Sequence, residues 1–199
     1  MSHYFENDYN LISEIRTFDI NINNVNFSFN TDNGVFSKGE LDYGTYLLLK
    51  NVVKRDLHGK ILDLGCGYGP IGIIIKKLFN VEVSMSDVNN RAIHLTKMNA
   101  KKNSVSVNIV NSDGYENISD SFDYVISNPP IRVGKKKLYG LLTDSKKHLN
   151  KDGELIIVVR KEQGALSLIK DMQEYFKTEV LDKDKGFLII LLKNDWLLF

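Results

Sequence analysis

Sulfur, proline, excess charge and long apolar runs are all scarce in this chain, and each scarcity excludes something. Cys66 is the one cysteine among 199 residues. Neither an internal disulfide nor a cysteine-based metal site can form, and a reducing cytoplasm is expected. His3, His58, His94 and His148 show no ligand spacing, so no metal is expected. No apolar run approaches the ~20 residues of a membrane span. The start, Met1-Ser2-His3-Tyr4-Phe5-Glu6, lacks the basic and apolar regions of a secretory signal. The formal net charge is only +1, so a nucleic-acid partner has to be argued from local clusters. Of the three prolines, two stand side by side at Pro129 and Pro130. Composition is otherwise ordinary for a globular protein, and the length suits one domain with a sizeable core. We expect that domain to span residues 1–199, with 1–45 as a hairpin and covering segment and 46–199 as an α/β core.

What is present is organised around Asp63-Leu64-Gly65-Cys66-Gly67-Tyr68-Gly69-Pro70. Lys60-Ile61-Leu62 ahead of it reads as a buried strand, and Ile71, Ile73, Ile74, Ile75 and Leu78 behind it suit a buried helix. Glycine is needed where backbone takes positive φ or lets a ligand touch the main chain. Pro70 suits a first helical turn, and a helix start presents free N–H groups and partial positive charge. A dinucleotide fingerprint, G-x-G-x-x-G, would put its last glycine where Pro70 stands. The spacing here is instead Gly65, Gly67, Gly69, with Asp63 two residues before the first. A carboxylate there suits a positively charged ligand. S-adenosyl-L-methionine, with an ammonium, a sulfonium and one carboxylate, fits, and D-x-G-x-G-x-G resembles the first motif of the Rossmann-like (class I) methyltransferases. The bland alternative is a glycine-rich turn without a ligand.

Elsewhere the periodicities are clear. Phe18, Ile20 and Ile22 alternate with polar residues, as do Val25, Phe27 and Phe29 after Asn23-Asn24. Asparagine favours the two-residue turns in which both central residues take positive φ, so a hairpin is expected with Ile22 opposite Val25, Ile20 opposite Phe27 and Phe18 opposite Phe29. Asp32-Asn33-Gly34 is a second turn signal. Val35-Phe36-Ser37-Lys38-Gly39 and Asp42-Tyr43-Gly44 follow, then a helix from about Thr45 to Val53. From Lys60 onward, strands over Val81–Met85, Val105–Val110, Phe122–Ile126 and Leu155–Val159 alternate with helices. One helix covers Arg91–Lys102; others present Leu138, Leu141, Leu142, Ser145 and Leu149, and Ala165, Leu168, Ile169, Met172 and Phe176. Thr178–Leu181 and Phe187–Leu192, joined through Asp182–Gly186, leave no room for a crossover helix and should pair antiparallel. The expected fold is α/β: a mostly parallel, seven-stranded, doubly wound sheet with an antiparallel last strand, plus the N-terminal hairpin.

In such sheets ligands bind beyond the carboxyl ends of the strands. Asp63, Asp87 (before Val88) and Asp113 (before Gly114) follow three successive strands. Asp87 stands about where an acid accepts from ribose hydroxyls, and Asp113 is placed to accept from an adenine amino group. Single strand-end aspartates also serve as turn formers or helix caps. Asn128-Pro129-Pro130 closes the next strand. Proline fixes φ and lacks an N–H, so this turn offers acceptors in a fixed geometry. If the Asn128 carboxamide oxygen and a nearby carbonyl accept the two hydrogens of a planar exocyclic amine, its nitrogen becomes richer and is aimed at a methyl donor. That is catalysis by positioning and preorganised dipoles. The alternative is a strand-terminating turn.

Asn128-Pro129-Pro130-Ile131 resembles the N-P-P-[YFW] motif of methyltransferases acting on amino groups of adenine, cytosine, guanine or glutamine. Its extension through Arg132-Val133-Gly134-Lys135, with Gly34-Val35-Phe36-Ser37 and Asp42-Tyr43-Gly44-Thr45, resembles the small-subunit ribosomal RNA guanine-N2 methyltransferase C family. The resemblance covers roughly Phe27 to Lys193 and fits single-domain members of that family. It implies S-adenosyl-L-methionine near Phe36, Asp63, Gly65, Cys66, Gly67, Gly69, Asp87, Val88, Asp113, Gly114 and Asn128. It also implies a target amine held by Asn128, Pro129, Pro130 and Ile131, and small-subunit ribosomal RNA as partner. Ile131 departs from the motif's aromatic and removes a stacking platform, for which Arg132 is a substitute. Phe36 reads equally as core.

Basic residues gather at Arg132, Lys135, Lys136 and Lys137 and at Arg160-Lys161, where an RNA would pass. The alternative is a solvated lysine-rich helix start. Lys97, Lys101 and Lys102 are assigned to solvent. Competing functions are methylation of a protein glutamine or a DNA base by the same turn, and a non-catalytic module that binds S-adenosylmethionine or RNA.

Overall fold

A computed structural model describes residues 11–37 and 39–194. The Met1–Glu6 start, His3 among it, and Lys38 lie outside the described residues. Strands β1 (Arg16–Ile22) and β2 (Val25–Thr31) form an antiparallel sheet of their own. Asn23 and Asn24 take φ of 53° and 63°, as the two-residue turn requires. The three expected apolar pairs form. The apolar face of this hairpin meets the glycine loop: the Phe18 and Phe29 rings lie 6.0 and 5.9 Å from that of Tyr68, both edge-on.

The larger unit carries β3 (Lys60–Leu64), β4 (Glu82–Asp87), β5 (Asn108–Asn111), β6 (Phe122–Ser127), β7 (Leu149–Arg160), β8 (Lys177–Asp184) and β9 (Phe187–Lys193). Its helices are α1 (Tyr43–Val52), α2 (Pro70–Leu78), α3 (Asn90–Lys102), α4 (Lys135–His148) and α5 (Ala165–Met172). The strand order is β5-β4-β3-β6-β7-β9-β8. Neighbours from β5 to β7 run parallel, and β9 is antiparallel to both β7 and β8. Central parallel strands are covered on both faces. Accordingly Ile61 joins an apolar cluster with α1, α2, α3 and the hairpin, while Leu62 joins another with α4 and α5. Consecutive strands leave β3 in one direction and β6 in the other, so a crevice opens beyond their carboxyl ends. No described helix is long and apolar enough to cross a membrane.

Several boundaries differ from the periodic reading. Leu149 opens β7, and Phe176 lies in the turn after α5; both are buried, so helical spacing alone could not assign them. The last hairpin turns on Lys185 and Gly186 alone, because β8 continues to Asp184. That extension was hidden by exposed charged residues and by a bulge between Val180 and Asp182, which breaks the alternation. β5 is shorter than expected, and α1 starts earlier, at a cap described below.

The hairpin's open edge is occupied by a helix. At the C-cap of α3, Asn103 accepts from Ser28 N–H at 3.1 Å and donates to Ser28 O at 2.8 Å. One turn earlier Asn99 does the same with Asn30, at 2.8 and 2.9 Å. Two carboxamides at i and i+4 thus stand in for a neighbouring strand and satisfy edge groups that would otherwise invite another chain. Asn99 also donates to Tyr68 O at 2.8 Å, so one side chain ties the hairpin to the glycine loop. Lys102 donates to the Asn30 side chain at 2.9 Å; it braces the hairpin and is not given over to solvent alone.

Candidate active site

A cavity of about 950 Å³ occupies the crevice. Phe36, Gly65, Cys66, Gly67, Asp87, Val88, Asp113, Gly114, Asn128, Pro129, Pro130, Lys135, Lys136 and Lys137 all line it. Asp63, Gly69, Ile131, Arg132, Arg160 and Lys161 are not among its lining residues. Asp42, Thr45, Tyr115 and Val133, which pattern reading did not single out for the site, are. The volume is near the upper end of ~300–1,000 Å³ for small-molecule sites, roomy enough for two reactants side by side.

The loop after β3 presents bare backbone. Gly65 and Gly67 take φ of 71° and 59°, and a Cβ on either would meet nothing within 4 Å. Gly69 serves α2 instead. It caps that helix at φ 94°, and its Cβ would press on Ile73, Met85 and Thr96 at 3.0–3.1 Å. Asp63 lies inside β3 and is fully buried. Its Oδ2 accepts from Gly72 N–H at 2.8 Å and so anchors α2, while its Oδ1 has no partner among the described residues. Burial pushes its carboxyl up to about 7, against the Gly72 bond and with some help from Asp87. Cys66 is buried too, and burial above all pushes its thiol well up; a thiol is not a nucleophile in that state.

Asp87 joins loop and strand. Its Oδ2 accepts from Gly67 N–H and its Oδ1 from Asn89 N–H, both at 2.8 Å. Each carboxylate oxygen keeps acceptor capacity for a ligand hydroxyl. Burial raises its carboxyl despite those bonds. The segment bearing Val35 and Phe36 is fastened beside it: Asn89 donates to Gly34 O at 3.0 Å, and Arg91 donates to Asn33 O at 2.9 Å and Leu11 O at 2.7 Å. Phe36 is 40% exposed, which favours a covering over a core role. At the far wall the Tyr115 ring stacks on His148, centroids 4.5 Å apart. Lys137 reaches across to Asp113 at 2.9 Å, an exposed pair worth little by itself.

Asn128 stands one residue beyond β6. Its Nδ2 donates to Thr45 Oγ1 at 3.0 Å and lies 3.5 Å from Asp42 Oδ1. Among the described residues its Oδ1 has no partner. The two acceptors sit at the start of α1, where the Asp42 carboxylate accepts from Gly44 and Thr45 N–H at 3.0 and 3.2 Å as the N-cap. After the two prolines the chain makes a 3₁₀ turn, Ile131–Val133, which packs Ile131 on the apolar cluster beneath α4 and brings Val133 to the cavity. Arg160 lies over the Phe187 ring, 4.6 Å from its centroid, away from this wall. Among the described residues no three His, Cys, Asp or Glu side chains gather as a metal-binding group.

A bare-backbone loop at a helix start, a strand-end acid with spare acceptors and an amide oxygen without a partner among the described residues thus meet at one cavity. The model of one family, the methyltransferase small domain, matches residues 26–191. The chain belongs to that family. As a methyltransferase small domain it is an S-adenosylmethionine-dependent methyltransferase. The "uncharacterized protein YbxB" of Bacillus subtilis is 40% identical over 197 residues, covering 96% of this chain and 98% of that one. The ribosomal RNA small subunit methyltransferase C of Haemophilus influenzae is 37% identical over 167 residues, 81% of this chain and 49% of that protein. This chain therefore spans about half the length of the methyltransferase C relatives it matches. A solved T. thermophilus 16S rRNA N2 methyltransferase, in complex with AdoMet and guanosine, superimposes with a TM-score of 0.81 at 22% identity, over 91% of this chain and 51% of that one. That likeness establishes the Rossmann-like methyltransferase fold.

In this methyltransferase domain Asp87→Ala is expected to weaken S-adenosylmethionine binding about ten- to a hundredfold, the cost of ~1–3 kcal/mol for leaving buried polar groups unpaired. Titration calorimetry on the folded variant checks it; wild-type affinity would remove Asp87 from the cofactor site.

Proposed function

We propose that this protein methylates an exocyclic amine of small-subunit ribosomal RNA, guanine N2 in particular, with S-adenosylmethionine as donor. The observation that carries the reading is the unpartnered carboxamide oxygen of Asn128, held at the wall of the cavity that the glycine loop also lines. The names of the half-length relatives support the RNA, and the guanosine bound to the T. thermophilus enzyme supports the base.

In this reading the cofactor supplies an electrophilic methyl group, and the chain's residues bind and aim. Gly65 and Gly67 let the main chain approach the donor, Asp87 accepts from its ribose, and the segment at Phe36 covers it. Asp113 and Gly114 border its base. Asn128 Oδ1 accepts one hydrogen of the target amine, and a carbonyl of the turn before Pro129 or Pro130 accepts the other. The amine nitrogen loses a proton to solvent after transfer, so no strong base is needed. Pro129 and Pro130 hold the backbone carbonyls of the turn rigid because neither can rotate about φ. Methyl transfer from labelled cofactor to RNA, DNA and protein side by side, followed by nucleoside analysis, tests it. Label in N2-methylguanine is the expected result; label only in DNA or glutamine would replace the substrate.

The RNA surface we assign to Arg132, Lys135, Lys136, Arg160 and Lys161. Lys135 already pairs with Asp171 at 3.0 Å, whereas Arg132, Lys136 and Lys161 are exposed and have no acid partner among the described residues. Replacing Arg132, Lys135, Lys136 and Arg160 together should weaken RNA binding and flatten its salt dependence. The log–log slope should fall by roughly 0.7–0.9 for each phosphate no longer neutralised. Cofactor binding should stay unchanged. An unaltered slope in filter binding across a salt series would return these residues to solvent.

A further inference from the structure

We propose that Thr45 and Asp42 together position the Asn128 carboxamide: Thr45 holds it in place and Asp42 sets its sense, so that its oxygen, and not its nitrogen, meets the target amine. The inference rests on the amino-methylation reading above.

A carboxamide has two ends of nearly equal size, and a site that needs an acceptor fails if the amide rotates by half a turn. Nothing in the N-P-P turn itself prevents that rotation, since prolines restrict the backbone and not the Asn128 side chain. The restraint comes from α1. Thr45 Oγ1 takes the closer hydrogen bond from Asn128 Nδ2, at 3.0 Å. A hydroxyl can accept or donate, so Thr45 alone would tolerate either orientation. Asp42 Oδ1, 3.5 Å from the same nitrogen, removes the ambiguity because a carboxylate only accepts. Rotation would set the amide oxygen against that carboxylate.

The placement of both acceptors follows from one helix start. The same Asp42 Oδ1 caps Gly44 and Thr45 N–H, so the carboxylate cannot swing away without uncapping α1. Thr45 is 4% exposed and its hydroxyl has little freedom. Cap, hydroxyl and amide thus form one restrained chain from α1 to the end of β6, across 83 and 86 residues of sequence.

The experiment is single-turnover methyl transfer to small subunits and total RNA from cells that lack the protein, with titrated cofactor and RNA. Thr45→Val keeps the shape and removes the hydroxyl. Thr45→Ala removes it in a residue that favours helix, so a folded variant is assured from one or the other. Both should lose turnover about tenfold, with cofactor affinity and the KM for RNA unchanged. Thr45→Ser, which restores the hydroxyl, should return to within about threefold of wild type. Wild-type turnover in Thr45→Val or Thr45→Ala overturns the inference, as does a loss matched by an equal loss of cofactor affinity, or a failure of Thr45→Ser to rescue. Asn128→Ala in the same assay separates the two levels. If it is crippled while the Thr45 variants are normal, only the positioning role fails; if it is normal, the amino-methylation reading fails.

Discussion

Asn128→Ala is expected to lower single-turnover methyl transfer about 10²–10³-fold, the usual consequence of deleting one preorganised dipole at a reacting centre. The hydrogen bond it deletes strengthens as the amine nitrogen pyramidalises, so the rate falls while cofactor affinity stays near wild type. The fold should lose about 1–3 kcal/mol, because the buried Thr45 hydroxyl is left without this partner. Asn128→Asp is more informative than its size suggests. It keeps an acceptor but sets a second carboxylate where Asn128 Nδ2 now stands, 3.5 Å from Asp42 Oδ1. Two carboxylate oxygens facing each other there repel unless a proton lies between them. A proton shared between them would restore a donor facing Asp42 and a carbonyl facing the substrate. Turnover by this variant should therefore lie between those of the wild type and Asn128→Ala. Wild-type rates in Asn128→Ala would make the N-P-P turn structural only.

A second large effect is expected from Asp63. Its carboxyl titrates near ~3.9 in the unfolded chain and is pushed up to about 7 in the fold, by burial first. Between those values the native state holds a proton that the unfolded state has released. Stability is then fully retained below about pH 4, falls by up to about 1.36 kcal/mol per unit as pH rises, and levels off above about 7, an upper bound near ~4 kcal/mol. Asp63→Asn keeps an acceptor for Gly72 N–H and cannot ionise, so its stability should fall less steeply with pH over this window, leaving the slope contributed by Asp87, whose carboxyl burial also raises. Urea unfolding across a pH series from about 5 to about 8 measures both slopes. Equal slopes in the two proteins would mean that water reaches Asp63 and no charge is buried there.

What was legible in the sequence is what local spacing decides. Asn23-Asn24 between two alternating runs specified both turn and register, and three glycines before Pro70 marked a strand, a bare loop and a helix start. The N-P-P run stood out because proline is otherwise nearly absent. Contacts made by stacking one layer on another were not legible. Asn99 and Asn103 read as polar positions on a helix, yet they serve as a strand's partner, because the distance between i and i+4 on a helix is close to that between alternate residues of a strand. Asp42 stands just ahead of a helical stretch, but no local pattern says that its carboxylate both caps that helix and faces an amide far along the chain. Asp63 misleads for a related reason. A strand-end acid next to a glycine loop suggests ligand contact, while the extra residue Leu64 in β3 turns that side chain under α2 and out of the cavity wall.

The carboxamide ladder from α3 to β2 has a consequence for synthesis. Its partners are 69 and 75 residues apart, so the hairpin leaves the ribosome well before the helix that will cover its edge. At roughly 5–20 residues per second the wait is about 4–15 s. For that time Phe18, Phe27 and Phe29 lack α3, and for roughly the first half of it they lack Tyr68 as well. The hairpin therefore waits uncovered for α3, and nascent chains halted short of Asn99 should be the ones that ribosome-associated holdases retain longest.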